Sequence, residues 1–182
     1  LRTVAYRAAI KAKPAEAVKA LKKEWYTGSS IDGKEVCLSS LGQTRDPELI
    51  KKELLPFLFD ISPPAPASES VPSGDMHSLG SSLAANSAAR DLQWDYMREN
   101  WGKVTTKMAN PVVLDRFVKI SLNKFTDDKY VAEINKFFEG KDTSSFDRTL
   151  EQVKDAVRGR AAYYQRDAGV LKEFLKANGY VG

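Results

Sequence analysis

Histidine and cysteine are almost missing from this chain, which carries one of each, His77 and Cys37, among 182 residues. A zinc helix of the H-E-x-x-H type needs two histidines one turn apart, so a single histidine excludes it. One cysteine excludes an internal disulfide framework and any Cys-rich zinc module. A Ser-His or Cys-His catalytic pair is left with one candidate base. These counts weigh against a self-contained hydrolase. No apolar run approaches the ~20 residues of a membrane-spanning helix, so no membrane partner is expected. The opening Leu1-Arg2-Thr3-Val4-Ala5-Tyr6 has no signal-peptide core and no initiator Met, and reads as an element already under way. Asn-x-Ser/Thr sequons are absent too, and together these gaps point to a cytoplasmic protein. Neither sign of charge dominates: 28 Lys+Arg stand against 24 Asp+Glu, a net charge of +4. The two signs are mixed along the chain rather than gathered in one stripe, so no nucleic-acid partner is expected.

What is present is helical periodicity. Val4, Ala5, Ala8, Ala9 and Ala12 form one stripe, and Pro14 suits the first position of a second helix. That helix carries Ala17, Val18, Leu21 and Trp25 and stops at Thr27-Gly28. Asp32 is placed to cap a third, with Val36, Cys37, Ser40 and Leu41, closed at Gly42. Asp46-Pro47-Glu48 combines an N-cap, a first-turn proline and an acid at the positive helix end. Leu49, Ile50, Leu54 and Leu55 follow, with Pro56 limiting the run. Residues 61–74 are rich in Pro and Ser and predict an extended, solvated loop.

Beyond the loop, Met76, Leu79 and Leu83 mark a helix. Ser87 is placed to cap the next, which runs through Leu92, Trp94, Tyr96 and Met97 to Asn100-Trp101-Gly102. Leu114, Phe117, Val118, Leu122 and Phe125 follow Pro111. Thr126 or Asp127 opens a helix with Tyr130, Val131, Ile134, Phe137 and Phe138, ended by Gly140. Leu150, Val153, Val157, Ala161 and Tyr164 form a long one, and Asp167 opens the last, stopped at Asn178-Gly179. No segment alternates with period two. The pattern reads as an all-α chain of about nine or ten short antiparallel helices, an α-solenoid or superhelix of HEAT/armadillo type. Residues 1–182 read as one domain.

The residues that carry chemistry elsewhere have ordinary explanations here. His77 beside Asp75 falls short of the three protein ligands of a catalytic zinc. Cys37 lies on an apolar face with no nearby histidine to activate it. Trp94, Tyr96, Trp101, Phe137, Phe138, Tyr163 and Tyr164 sit at helical spacing among Leu and Val and read as core. No catalytic set and no cofactor site emerge.

Four segments carry a resemblance. The first runs from Asn86 through Ala89, Trp94 and Met97 to Asn100-Trp101, and resembles a signature of the C-terminal helical domain of M1-family zinc aminopeptidases. Leu41-Gly42-Gln43-Thr44-Arg45-Asp46-Pro47-Glu48-Leu49 is similar to that family's L-G-x-x-x-D-P-E-L turn. Phe125-Thr126 with Val131, Phe137 and Phe138 resembles its F-F helix, and Arg166-Asp167 with Leu171 and Leu175 its closing helix. The order is the family's and spans roughly residues 1–178. Ala89 departs from the usual Gly, and the Pro-rich loop looks longer than usual.

The resemblance implies a non-catalytic C-terminal domain. Zinc and its ligands would lie in earlier domains of a parent enzyme, with no cofactor in this chain. The domain would cover the active site and enclose a chamber for peptides, meeting the parent's catalytic domain and, through its concave face, the peptide. In some relatives a basic side chain near the L-G turn helps read the peptide's C-terminus, and Gln43 and Arg45 stand at the comparable place. A free-standing helical scaffold for protein partners is the alternative. An excised domain would also self-associate through the apolar face it normally buries.

Overall fold

The computed structural model describes residues 1–61 and 70–180. Among these the chain is all-α, without a strand. It divides into two compact units, Leu1–Leu122 and Asn123–Gly182.

In the first unit, α1 (Arg2–Ala12), α2 (Pro14–Thr27) and α3 (Ile31–Leu41) pack on one another. Pro14 opens α2 as the sequence predicts, and Ala17, Val18, Leu21 and Trp25 are its buried residues. The stripe assigned to α1 faces the other way. Only Ile10 is buried, with Thr3 and Tyr6 half-buried on that side, while Val4, Ala5, Ala8, Ala9 and Ala12 lie in solvent. Alanine counts as apolar in a periodicity but contributes little area, and one isoleucine outweighs the run. The cap of α3 is Ser30, whose hydroxyl accepts from the Gly33 amide, rather than Asp32, which falls inside the first turn.

Next come α4 (Pro47–Leu49), a π-helical turn (Ile50–Leu54) and α5 (Leu55–Phe59), which run on without a break. Asp46 caps α4 by accepting from the Glu48 and Leu49 amides. The run passes Pro56 and ends three residues later, at Phe59. A proline ring collides with the carbonyl four residues back. The wider π turn just before it, closed by the Leu55 amide on the Ile50 carbonyl, lets the helix continue to Phe59.

The centre of this unit is α6 (Met76–Ala85), packed by α3, by α7 (Arg90–Glu99) and by α9 (Pro111–Leu122). Its sequence, Met-His-Ser-Leu-Gly-Ser-Ser-Leu-Ala-Ala, is rich in small residues, which lets neighbours come close. A β-carbon on Gly80 would stand 2.7 Å from the Phe117 ring. Phe117 in turn meets Phe59 edge-on at 5.6 Å, and Phe59 stacks on Tyr96. The α7 helix begins at Arg90, and Ser87 is not its cap: the Asn86 carboxamide oxygen accepts from Ala88 instead.

A helix the periodicity did not mark, α8 (Trp101–Lys107), follows directly on α7. In the second unit α10 (Lys129–Phe138) packs on α11 (Asp147–Ala177). Gly140 ends α10 with φ +73°, a conformation that L side chains avoid. Phe138 and Phe146 meet edge-on between them, and Arg160 of α11 donates to the Phe125 and Asn123 carbonyls. Asp167 opens no new helix, because α11 passes through it uninterrupted for 31 residues. From Ala162 onwards α11 has no buried residue, so Tyr163 and Tyr164, expected in the core, are about half exposed. The extra α8 and the fusion at Asp167 offset each other. Counting the α4–π–α5 run as one, the described residues form ten helices.

Of the loop expected at 61–74, residues 62–69 lie outside the described residues. Ser70 and Val71 are buried, and the Val71 amide donates to the Phe57 carbonyl at 2.8 Å.

Candidate functional site

The turn after α3 brings two of the recognised segments together. Gly42 closes α3, and the Thr44 hydroxyl folds back onto the Leu41 carbonyl at 2.8 Å. From α6 and its end, two side chains clamp this turn. Asn86, 8% exposed, donates its amide to the Gly42 carbonyl at 3.0 Å and to the Thr44 carbonyl at 2.6 Å. The same side chain accepts from Ala88 at 3.0 Å, so it joins the turn to the entrance of α7. Ser82 donates to the Ser39 carbonyl at 2.7 Å and accepts from the Gln43 side chain at 2.9 Å. Gly42 is needed for closeness, since a β-carbon there would sit 2.4 Å from that of Ser82.

Gln43 and Arg45 therefore differ. Gln43 is exposed but its amide is committed to Ser82. Arg45 is exposed and has no hydrogen bond or ion pair among the described residues. Beyond it, Asp46, Glu48, Lys52 and Glu53 line one side of an open groove of about 360 Å³, with Lys13 and Glu16 at the start of α2 opposite. Ser82 was not legible as a partner. The only hint was a run of hydroxyls in a helix otherwise made of small and apolar residues.

The other signature residues have structural work. Trp94 is 2% exposed, with the Arg98 guanidinium 5.3 Å from its ring centre. Beside it Gln93, buried and unmarked by the sequence, donates to Ser121 at 3.0 Å. Asn100 joins α7 to α8: its side chain donates to the Tyr96 carbonyl and its own carbonyl accepts from Val104. Trp101 is the first residue of α8 and is half-buried.

In the second unit, Phe138 is buried, while Phe137 is half-buried with the Lys141 ammonium 4.3 Å from its ring centre. Arg166 and Asp167 form a two-point ion pair, each bond 2.7 Å, on the solvent side of α11. Pairing lowers the Asp167 carboxyl below its usual range. This unit also holds an open groove of about 700 Å³ lined by Ile134, Phe138, Asp147, Leu150, Glu151 and Lys154.

His77 bonds through Nδ1 to the Gly74 carbonyl, as befits a residue at a helix start. Cys37 is fully buried, and burial raises its thiol above the ordinary value, so it is a core residue rather than a nucleophile. Among the described residues no group of three or more His, Cys, Asp or Glu is placed to hold a metal. No helix there is long and apolar enough to cross a membrane.

Residues 1–159 match the family model of the ERAP1-like C-terminal domain. This chain belongs to that family. Its relatives are aminopeptidases. It is 29% identical over 152 residues to "Aminopeptidase 2, mitochondrial" of Saccharomyces cerevisiae, covering 83% of this chain and 15% of that protein. To "Alanine/arginine aminopeptidase" of the same yeast it is 25% identical, covering 83% and 17%. "Aminopeptidase M1-B" of rice is 33% identical over a shorter stretch, 42% of this chain and 9% of the relative. The chain thus spans less than a fifth of the length of these proteins. As a member of the ERAP1-like C-terminal domain family it corresponds to the C-terminal domain of M1 aminopeptidases.

Proposed function

We propose that this chain is a non-catalytic domain of an M1 aminopeptidase. It covers the active site as one superhelical domain over residues 1–182 and forms part of the wall of the peptide chamber. The observation that supports this is the clamped turn: Asn86 and Ser82 fix its backbone while the Arg45 guanidinium stays in water. A fixed backbone carrying one uncommitted guanidinium suits recognition of a peptide carboxylate, which accepts two parallel N–H bonds from arginine. Gln43 serves beside it as a polar neighbour whose amide is already held.

The zinc of such an enzyme belongs to the parent's catalytic domain. One histidine, and no ligand group of three among the described residues, do not fit a zinc site in this chain. Its partners are that catalytic domain and peptide substrates, and its location is the cytoplasm.

In the full-length gene product, Arg45→Glu is expected to lower kcat/KM about tenfold for long peptides, a change of about 1.4 kcal/mol. A single aminoacyl reporter, too short to reach the turn, is expected to keep its rate. Equal losses on both substrates, or none on either, would count against the assignment.

The isolated chain is also expected to self-associate. Tyr163, Tyr164, Val170, Leu171 and Phe174 of α11 are each more than half exposed. A contiguous apolar face of this kind marks a contact surface. Sedimentation velocity is expected to show a concentration-dependent rise in mass, weakened by Leu171→Asp. A clean monomer at high concentration is the opposing result.

A further inference from the structure

Lys107, near the end of α8, is a half-hidden ammonium without a carboxylate of its own. Its Nζ donates to the Leu58 carbonyl at 2.8 Å, to the Asp60 carbonyl at 2.6 Å and to the Ser70 hydroxyl at 3.4 Å. Ser70 itself donates to the Asp60 carbonyl at 2.8 Å, and the next amide, Val71, holds the Phe57 carbonyl. One side chain therefore ties the chain where it leaves α5 to the chain where it returns at Ser70, on either side of residues 62–69.

Among the described residues the charged and titratable groups around this neck are few. Asp60 lies at the end of α5, with its carboxylate held by the Tyr96 hydroxyl of α7 at 3.3 Å and by Lys103 of α8 at 3.6 Å. The returning stretch, Ser70-Val71-Pro72, has no ionisable side chain. A closed neck thus removes an ammonium from water and, among the described residues, offers it only neutral acceptors, while the acid nearest it there, Asp60, is paired with a second cation, Lys103.

We propose that this neck is a proton-linked latch: it closes more firmly when Lys107 is a neutral amine and loosens when the side chain takes a proton in water. The amine keeps two N–H donors for the Leu58 and Asp60 carbonyls without the cost of desolvating a charge. Burial lowers Lys107 to about 8, with Asp60 pulling weakly the other way. An opened, solvated lysine titrates near 10.4. Between these values the open neck holds a proton that the closed neck has lost, so raising the pH favours closure.

The test is hydrogen exchange at the Val71 amide in the whole 182-residue chain, corrected for intrinsic rate, with the Val118 amide as monitor of global opening. From pH 7 to pH 9.5 the protection of Val71 relative to Val118 is expected to rise about 25-fold. Lys107→Met, which has no proton to exchange, and Lys107→Arg, which keeps its charge throughout, are each expected to give a flat profile. Wild-type protection that stays level or falls overturns the latch, as does a rise that survives in either folded variant. If one variant does not fold, the wild-type profile and the other variant still decide.

Discussion

Asn86→Ala is expected to lower the unfolding free energy by about 2–4 kcal/mol. The side chain is 8% exposed and makes three hydrogen bonds, two donated into the L-G turn and one accepted from Ala88. A neutral hydrogen bond contributes about 1 kcal/mol net, and each buried partner left unmatched adds a desolvation cost. The Thr44 carbonyl suffers most, because Thr44 is itself fully buried. Asn86→Asp is expected to be no better, since it keeps the acceptor for Ala88 but turns carboxylate oxygens toward two carbonyls. Urea unfolding monitored by tryptophan fluorescence gives the free energy directly. A loss below about 1 kcal/mol would show the clamp to be incidental. Under the proposed role of Arg45 a second effect is separate from stability: a turn released from α6 would no longer hold that guanidinium at a fixed place.

Trp94→Ala is expected to cost more, about 3–5 kcal/mol, the range for emptying a buried aromatic site. Trp94 is the largest of the fully buried side chains, and the Arg98 guanidinium lies against its ring. Truncation removes the ring's buried area and leaves a cavity that α7 cannot close without moving Gln93, which is bonded to Ser121. Trp94→Phe keeps most of the volume and is expected to cost clearly less. Calorimetric melting of both variants checks the order, and equal effects would mean that the cavity term is small.

Part of this fold was legible because its signals are local. Pro14 at the start of α2, Asp46 before Pro47, and Gly140 and Gly179 at left-handed positions each do what their chemistry dictates. Elsewhere the surroundings override a local signal. Pro56 reads as a limit on its helix, and after the π turn the helix passes it by only three residues, to Phe59. Asp167 reads as a cap, yet its carboxylate pairs with Arg166 on the helix surface, and no residue nearby breaks the backbone. Gly102 reads as the end of a helix, but α8 continues past it, with Thr105 and Thr106 returning their hydroxyls to the Trp101 and Gly102 carbonyls. For α1 the alanine stripe and the Ile10 side compete, and periodicity does not weigh area.

The site was half legible. Asn86 and the Leu41–Leu49 turn stood out as motifs, each by resemblance. Their contact did not, because hydrogen bonds between residues 44 and 42 positions apart leave no mark on a periodicity. Nor did Ser82 and Lys107, whose importance lies in which carbonyls they reach.

Photo-cross-linking in the full-length gene product tests whether this turn forms part of the wall of a peptide chamber. A photoreactive side chain placed at Arg45 is illuminated with a peptide-length inhibitor whose amino terminus occupies the catalytic site. Labelling is expected near the inhibitor's carboxyl end at position 45, displaced by excess substrate, and none is expected from the same group placed at the exposed Val112. Equal labelling at both positions, or none at 45 with the inhibitor bound, would contradict a chamber wall built from this turn.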